Sequence, residues 1–543
     1  MQDTNMNSEG SVKASFPISA HLALGEIPSI KEPILLDDWL IWLEQRPLEC
    51  GRTTALLKPW GSSKAGAQEL TPAPINLRTR IHVYGGGPFA ACIDNNYLYC
   101  SWINDEDGCL WSQTFIILPN NNNEHGKWVE PISDLICLSR KEKFCLGGGL
   151  IDCSRKRWIG CLEHEEKDFI VSFRLDKVNQ KPEILHSSYD FSGYLALNPT
   201  HDQLAWIEWR KPYMPWESSQ LCAANINENG CLYNMKILAG SDFKNINNIS
   251  VFQPFWLDNG KLVVAEDSNG WWNLIILEID LRKDENHQWE RVFSMDSEAG
   301  MPQWVYGMST ASSAGNQILS AQCRNGLWEL NIVNSQYSVK HLKQPFQDLA
   351  YIHSNELRAV AVASNSVCGV GLLEIDLKNE TFIHQPVVNI ELDQNLISKP
   401  QQLVFSGYKG KRTYAWYYPP SNGVKKRAPL LVKSHSGPTA MASIGLNLSI
   451  QFWTSRGWGV VDVNYGGSSG FGREYRDRLK GNWGLVDAFD CEFAAKSLIS
   501  GGQADQSLIA IEGGSAGGFT TLACLCFTDI FRVGACRYAV TDL

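Results

Sequence analysis

Short apolar runs alternate with Asn, Asp and Gly turns through about the first 390 residues, where helical periodicity is almost absent. A loose repeat runs through this part: a polar turn, a run of four to six apolar or alternating residues, another turn, then a second run. Seven such units stand roughly 40 to 60 residues apart, beginning at Asp37, Asp94, Arg155, Asp202, Asn259, Asn316 and Asn355. This period predicts the four-stranded blades of a seven-bladed β-propeller, with an eight-stranded sandwich pair as the competing fold.

The pattern changes near residue 398, where strands begin to alternate with helices. We predict a hairpin (Gln402–Phe405 and Thr413–Tyr418), strands at Leu430–Ser434, Gly459–Val463, Leu508–Ile511 and Val533–Cys536, and helices at Val486–Ser500 and Phe519–Phe527. Alternation of this kind indicates a parallel sheet with crossover helices. We therefore expect two domains, a propeller with an N-terminal extension over residues 1–397 and an α/β domain over residues 398–543.

The α/β domain contains a G-x-S-x-G motif, formed by Gly513, Ser515 and Gly517. A predicted strand precedes it and a predicted helix follows, which is the context of a nucleophile elbow. Side chains at Gly513 or Gly517 would collide with the neighbouring strand and helix. The motif makes Ser515 a candidate catalytic nucleophile, and the helix N–H groups, including that of Ala516, could stabilise an oxyanion. The alternative is a glycine-rich turn with a bystander serine.

A second candidate site segment, His435-Ser436-Gly437-Pro438, follows an early strand of the α/β domain. This is where the α/β-hydrolase plan places its oxyanion loop. Backbone N–H groups at His435 and Ser436, together with that of Ala516, could bind a tetrahedral oxyanion. The alternative is an ordinary turn that requires Gly and Pro.

Length, charge and the lack of long apolar runs limit the kinds of protein that this chain can be. A chain of 543 residues is too long for one core, and its formal charge of −10 argues against a nucleic-acid partner. No run of about 18 apolar residues is present, so we expect no membrane span, and the polar segment 1–15 lacks the apolar stretch of a secretory signal.

The sixteen cysteines are scattered without a C-x-x-C pair, which indicates a reducing, cytoplasmic compartment. Several lie in apolar runs and are predicted to be buried thiols: Cys92, Cys100, Cys137, Cys145 and Cys524. We expect no metal and no cofactor, and we interpret His82 as a turn or packing residue. Three aromatic clusters, at 214–216, 268–272 and 303–308, are expected to pack between blades, or alternatively to line a central pocket that holds a peptide.

With these motifs in view, the chain resembles the prolyl oligopeptidase family of serine peptidases, in particular its acylaminoacyl-peptidase-like and dipeptidyl-aminopeptidase-like branch. The matching residues are Ser436–Pro438, Asn464–Tyr465, Gly467–Ser468, Gly470–Tyr475, Trp483–Gly484, Asp487 and Gly513–Gly518, with Met214–Trp216, Phe252–Pro254, Gly270–Asn273 and Trp304–Ser309 upstream. The resemblance implies a seven-bladed propeller capping an α/β-hydrolase domain, and cleavage of short peptides through an acyl-enzyme on Ser515. Two residues depart from the family pattern: Gly466 replaces a usual Arg, and His435 replaces a tyrosine found in other branches.

The sequence after Ser515 does not supply the rest of a catalytic triad. In this fold the order is Ser, then Asp or Glu, then His. Only 28 residues follow Ser515; none is His, and the only acids are Asp529 and Asp542. We therefore expect an incomplete hydrolase domain, truncated before its acid and base, and a chain that is inactive alone. An esterase acting on small acyl esters and a propeller binding protein with a relict hydrolase part are the alternatives.

Overall fold

The computed structural model describes residues 11–13, 16–119, 127–242, 248–279, 281, 289–421, 423 and 427–542. Within the N-terminal segment 1–15, the structure describes residues 11–13 alone. Within it, seven antiparallel sheets follow one another along the chain, and each is built from one continuous segment. The predicted seven-bladed propeller is therefore confirmed, and the sandwich alternative is wrong.

The short elements before the first blade are β1 (Ser11–Lys13) and α1 (Ala20–Leu24). The first blade comprises β2 (Ser29–Leu36), β3 (Trp39–Arg46), β4 (Arg52–Pro59) and β5 (Gln68–Glu69), and the second comprises β6 (Phe89–Asp94), β7 (Tyr97–Ile103), β8 (Leu110–Ile117), β9 (Val129–Pro131) and β10 (Ile136–Cys137). The third blade comprises β11 (Cys145–Asp152), β12 (Arg157–His164), β13 (Lys167–Arg174) and β14 (Glu183–Ser187). The fourth comprises β15 (Phe191–Leu197), β16 (Gln203–Trp209), β17 (Gln220–Ile226) and β18 (Leu232–Gly240).

The fifth blade comprises β19 (Val251–Trp256), β20 (Lys261–Glu266), β21 (Asn273–Glu278) and β22 (Glu290–Arg291). The sixth comprises β23 (Ala311–Ala314), β24 (Gln317–Arg324), β25 (Leu327–Val333) and β26 (Val339–His341). The seventh comprises β27 (Asp348–Ser354), β28 (Arg358–Asn365), β29 (Cys368–Asp376) and β30 (Thr381–Pro386). The seven polar turns recognised in the sequence all lead into the second strand of a blade. Each blade therefore repeats one turn and one buried strand, which is the periodicity that the sequence displays.

The ring closes between the first and the seventh blade, whose first strands β2 and β27 contact each other. No strand is exchanged between these two blades, so side chains form the closure. An ion pair joins Lys58 Nζ of β4 to Glu374 Oε1 of β29 at 2.5 Å, with both side chains almost fully buried. Trp42 and Val360 belong to the apolar cluster at the same junction.

The second domain is a six-stranded sheet in the order β32-β33-β35-β34-β36-β37. Its elements, with the connecting strand β31, are β31 (Asn389–Glu391), β32 (Gln401–Ser406), β33 (Arg412–Tyr418), β34 (Ala428–Ser434), α2 (Leu448–Thr454), β35 (Gly459–Asn464), α3 (Arg473–Arg476), α4 (Val486–Ser500), β36 (Ala504–Gly514), α5 (Ala516–Phe527) and β37 (Val533–Arg537). Strand β34 pairs in parallel with both β35 and β36, and β36 pairs in parallel with β37. Strands β32 and β33 form the predicted antiparallel hairpin. Helices α4 and α5 pack on one face of this sheet.

One cysteine prediction is wrong. Cys92, expected to be a buried thiol, forms a disulfide with Cys153, with a Cα–Cα distance of 6.7 Å. These residues lie at the adjoining edges of the second and third blades, and a separation of 61 residues hides that proximity in the sequence. Cys100 and Cys524 are buried and free as predicted, while Cys137 and Cys145 are free but only half-buried.

Candidate active site

Ser515 occupies the sharp turn between β36 and α5, which is the strand–turn–helix context that the sequence predicts. Its backbone has φ 53° and ψ −121°, a region that a residue with a side chain rarely adopts. Such strain persists only where the surrounding structure enforces it, and it is concentrated at functional positions. The turn presents a half-buried serine at the end of the sheet, in front of the helix N-terminus.

The flanking glycines are required by close packing. A Cβ atom on Gly513 would lie 2.2 Å from the carbonyl oxygen of Gly517, and one on Gly517 would lie 2.1 Å from that of Ser434. Both distances are far below van der Waals contact, so the predicted collisions are confirmed. The glycines allow α5 to approach β34 closely, and Ser434 Oγ donates a hydrogen bond to the Gly517 carbonyl at 2.8 Å.

The candidate oxyanion donors come from two adjacent elements. Ala516 is the first residue of α5 and is almost fully buried; its N–H belongs to the first turn, where a helix offers no acceptor. The segment 435–438 follows β34, the strand beside β36. Ser436 Oγ donates to the Gly514 carbonyl at 2.9 Å, which ties this segment to the residue preceding Ser515. Both predicted oxyanion segments therefore meet at the nucleophile turn.

The His435 ring is held by its own neighbours. It stacks on Tyr465 with ring centroids 4.2 Å apart; Nδ1 lies 2.8 Å from the Ser436 carbonyl oxygen and Nε2 lies 2.7 Å from Ser468 Oγ. A carbonyl only accepts, so Nδ1 carries the proton of the neutral ring and Nε2 faces the serine hydroxyl. Burial lowers the pKa of His435 to about 4. This side chain is therefore a structural support for the loop and is not positioned to serve Ser515 as a base.

The remaining contacts of Ser515 involve its backbone. Its N–H donates to the Arg537 carbonyl at 3.0 Å, and the N–H of Val540 donates to its carbonyl at 3.3 Å. Among the residues that the structure describes, no imidazole forms a hydrogen bond with the Ser515 hydroxyl. Asp529 and Asp542, the acids that follow it in the sequence, are both exposed. The described residues thus bring together a candidate nucleophile and candidate backbone donors without an adjoining base.

The family departure at Gly466 has a steric basis. A Cβ atom there would lie 2.6 Å from Val486 Cγ1 and 3.1 Å from Arg478 Cδ. The Arg478 side chain occupies this space and donates to the Arg412 carbonyl at 2.9 Å. The Gly466 N–H also donates to Asp490 Oδ2 at 2.7 Å, and burial raises the pKa of that carboxyl to about 6. An arginine is thus present near position 466, although it comes from elsewhere in the chain.

A loop of the propeller contacts the residue that follows the candidate oxyanion segment 435–438. Trp304 Nε1 donates to the Thr439 carbonyl at 2.7 Å, and the Tyr84 ring packs edge-on against Trp304 at 5.5 Å. Val83 and Tyr84 are 85% and 64% exposed. Sequence reasoning singled out Trp304 in an aromatic cluster but missed Val83 and Tyr84. The only signal for them is the glycine run 85–87 that follows. Trp216 and Trp272, from the other two clusters, are buried packing residues as expected.

Two arginines of α3 join the hydrolase domain to the fifth blade. Arg473 and Arg476 each place a guanidinium nitrogen 2.6 Å from Asp267 Oδ2, and Arg476 also lies 3.5 Å from Glu298 Oε1. Arg476 stacks over the Trp272 ring at 4.0 Å. Burial raises the pKa of Glu298 to about 7, although the charge of Arg476 opposes that shift. We call Asp267, Glu298, Arg473 and Arg476 the interdomain ion cluster.

No group of three or more His, Cys, Asp or Glu side chains in the described residues could hold a metal ion. His82 is a packing residue: its Nε2 lies 2.8 Å from Asp168 Oδ2, and its ring packs edge-on against Phe191, Trp209 and Tyr306. In the part of the chain that is described, no helix has the length and apolar character needed to span a bilayer.

A seven-bladed propeller joined to a hydrolase sheet, with a serine on a strained strand–helix turn, defines the class of propeller-capped serine hydrolases. Comparison with known proteins then shows which family part of the chain matches. Residues 445–543 match the prolyl oligopeptidase family. The family resemblance predicted from the sequence motifs is therefore confirmed.

The curated relatives match a minor part of the chain. Dipeptidyl peptidase family member 6 of Caenorhabditis elegans is 38% identical over 99 residues, which cover 18% of this chain and 13% of that protein. The acylamino-acid-releasing enzyme of Sus scrofa is 32% identical over 136 residues, covering 25% of this chain and 19% of that enzyme. The match thus spans less than a fifth of the length of either relative.

Solved structures match nearly the whole chain. A puromycin-hydrolyzing peptidase of Mycobacterium tuberculosis superposes with a TM-score of 0.87 and 26% identity, covering 98% of this chain and 80% of that one. A puromycin hydrolase superposes with a TM-score of 0.84 and 26% identity, covering 96% and 78%. The propeller and the hydrolase sheet therefore occur together, in this arrangement, in known peptidases.

Proposed function

We propose that this protein is a serine peptidase that hydrolyses short peptides through an acyl-enzyme on Ser515. The hydroxyl of Ser515 attacks the scissile carbonyl, and the N–H groups of Ala516 and of the segment 435–436 stabilise the oxyanion that forms. The propeller covers the hydrolase domain and restricts access to small or unfolded substrates. The match of residues 445–543 to the prolyl oligopeptidase family and the similarity to solved peptidase structures support this assignment.

One observation carries the proposal: Ser515 keeps a strained backbone at φ 53° while glycines at 513 and 517 allow the turn to form. A bystander serine would gain nothing from that conformation, which costs of the order of 1–3 kcal/mol. A glycine at position 515 would relieve the strain. The presence of a serine there therefore supports a chemical role for its hydroxyl.

Aminoacyl amides are the proposed substrate class, because the two solved neighbours are described as puromycin hydrolases. Val83 and Tyr84 would provide an apolar surface for the substrate side chain, since they are exposed beside the loop that contacts Thr439. We expect Tyr84→Ala to raise KM for aminoacyl amides with apolar side chains and to leave kcat nearly unchanged.

The test compares the full chain with Ser515→Ala and with the matched control Ser500→Ala, which alters an exposed serine at the end of α4. Because no described imidazole contacts Ser515, acylation of an amide is expected to be slow, and an activated p-nitrophenyl ester is the more sensitive probe. We expect acylation of the parent and of the control, detected by mass spectrometry on the peptide containing residue 515. Equal acylation of the Ser515→Ala variant would refute the proposal.

We also propose a reducing compartment, the cytoplasm, because fourteen cysteines of the described residues are free. Cys50, Cys231, Cys526 and Cys536 are exposed, and an oxidising compartment would expose them to unwanted pairing. A thiol titration of the denatured protein, prepared from cells under alkylating conditions, should find the fourteen cysteines outside the Cys92–Cys153 disulfide reduced. Extensive oxidation would overturn this assignment.

A further inference from the structure

The innermost strands of five blades carry the same irregularity at their centre. Their pairing with the second strand shifts register at 31/34, 147/150, 193/196, 252/255 and 350/353. Each bulge includes one residue with positive φ: Glu32, Gly148, Tyr194, Gln253 and Tyr351. Bulges re-aim side chains and concentrate near functional sites. The ring thus presents one residue with positive φ from each of these five blades at its centre.

These five residues line one cavity of about 360 Å³ inside the propeller, together with Phe89, Phe255 and Tyr306. The volume corresponds to about a dozen water molecules and lies at the lower end of the range for small-molecule sites. All the lining residues belong to the propeller. Aromatic rings therefore surround a space that is large enough for a small organic ligand.

Glu32 is the ionisable acid of this cavity. Its Oε1 accepts a hydrogen bond from the Gly87 N–H at 3.2 Å, and its carboxyl group packs against Gly307. No lysine or arginine lines the cavity, and in the described part of the chain Glu32 forms no ion pair. His353 accepts from the Leu35 N–H through Nδ1, and burial lowers its pKa to about 4, so it is neutral. The carboxylate therefore has no positive partner in the cavity.

The other bulge residues differ in how far their polar groups are already used. Gln253 donates to the Ala299 carbonyl and to Thr310 Oγ1 and accepts from the Thr310 N–H, so its amide is satisfied. Tyr194 donates to the Val305 carbonyl at 2.7 Å. The Tyr351 hydroxyl has no hydrogen-bond partner among the described residues. Glu32 and Tyr351 are thus the groups that remain available to a ligand.

We propose that this cavity is a binding site for a small organic ammonium ion. The Glu32 carboxylate would form the ion pair, and the faces of the surrounding rings would provide cation–π attraction. The site is distinct from that of Ser515, because all residues that line the cavity lie between residues 32 and 353 and none belongs to the hydrolase domain. Binding therefore does not depend on the peptidase assignment.

The test is isothermal titration calorimetry on the full chain with choline, with butylammonium, and with 3,3-dimethylbutan-1-ol, the uncharged isostere of choline. We expect at least one of the two cations to bind and the alcohol not to bind. Glu32→Gln keeps the size and backbone of the residue and should weaken binding roughly 10- to 150-fold, the loss expected for a charge-assisted hydrogen bond. The matched control is Glu142→Gln, at an exposed glutamate, which should bind like the parent.

Two further measurements keep the result decisive. Thermal melts should show that the Glu32→Gln variant folds as stably as the parent, because burial already raises the pKa of Glu32 to about 7 and a neutral side chain suits this position. The Ser515→Ala variant should bind the cation with unchanged affinity, which separates this site from the candidate active site. The proposal would be overturned if neither cation bound at 50 mM, roughly the weakest affinity that could matter. It would also be overturned if the alcohol bound as well as the cations, or if Glu32→Gln left cation binding unchanged.

Discussion

Replacing Arg476 by methionine should loosen the contact between the two domains. The Arg476 side chain is 3% exposed and lies against two buried carboxylates of the propeller: Asp267 of the fifth blade and Glu298, which follows that blade and pairs with Cys323 of the sixth. Methionine keeps most of the apolar contact with Trp272 but leaves Glu298 without its guanidinium, while Arg473 still pairs with Asp267. Removing one partner of a buried ion pair costs about 3–5 kcal/mol, which corresponds to at least about a hundredfold change in the unfolding equilibrium.

The loss should depend on pH in a defined direction. Burial raises the pKa of Glu298 to about 7, above its ordinary value of 4.5. A carboxyl with a raised folded-state pKa binds its proton more tightly when folded, so its contribution to stability is present below about pH 4.5 and is lost as the pH rises through 7. Arg476 opposes this shift, so the variant should have a still higher pKa at Glu298. The destabilisation should therefore be largest above pH 7 and smallest near pH 5.

Urea unfolding followed by tryptophan fluorescence, at pH 5 and pH 8, measures this effect. The control is Arg174→Met, which removes an exposed pair with Asp176 and should cost less than about 1 kcal/mol. The rescue variant Arg476→Met/Glu298→Gln also removes the acid that has lost its guanidinium, keeps the Arg473–Asp267 pair, and should recover much of the loss. A loss below about 1 kcal/mol at pH 8, or an equal loss at both pH values, would refute the electrostatic reasoning.

Two other predictions concern the propeller closure and the serine turn. Glu374→Ala leaves the Lys58 ammonium buried and without its carboxylate, so we expect the free energy of unfolding, measured with urea, to fall by about 3–5 kcal/mol. The double variant Lys58→Met/Glu374→Leu removes both charges and should be nearly as stable as the parent. Equal losses of stability in the two variants would contradict a role for the charge pair. Gly517→Ala places a Cβ atom 2.1 Å from the Ser434 carbonyl oxygen, so we expect it to lower the free energy of unfolding by about 3 kcal/mol and to abolish acylation of Ser515. The control Gly66→Ala, whose Cβ atom would have no atom within 4 Å, should change neither stability nor acylation. A stable and reactive Gly517→Ala protein would show that the turn can relax.

The features that the sequence predicts best are local. Every blade repeats a polar turn before a buried strand, so seven turns identify seven blades. Helix α4 begins at Val486 and ends at Ser500, as its apolar stripe predicts, although nine of its fifteen residues are buried. The serine turn is equally local, because the steric demands of Gly513, Ser515 and Gly517 arise within a few residues and one adjacent strand.

The features that the sequence does not predict depend on contacts between distant residues. Arg473 and Arg476 meet Asp267 across separations of 206 and 209 residues, and the motif containing them gives no indication of the blade they contact. The disulfide between Cys92 and Cys153 depends on how two neighbouring blades align. Glu32 lies in a strand whose pattern gives no sign that a bulge turns its carboxyl inward. Such contacts follow from the ring geometry, which no local pattern encodes.

The position of Tyr306 bears on how a substrate would reach Ser515. Its buried side chain fills the space beside the glycines of the third and fourth blades, and Gly86 pairs with it through a parallel bridge. Trp304, two residues earlier, donates to the Thr439 carbonyl of the hydrolase domain. A peptide passing along the propeller axis would have to displace this segment and break its backbone pairing. Separation of the domains beside the interdomain ion cluster would instead break side-chain pairs and leave this segment in place.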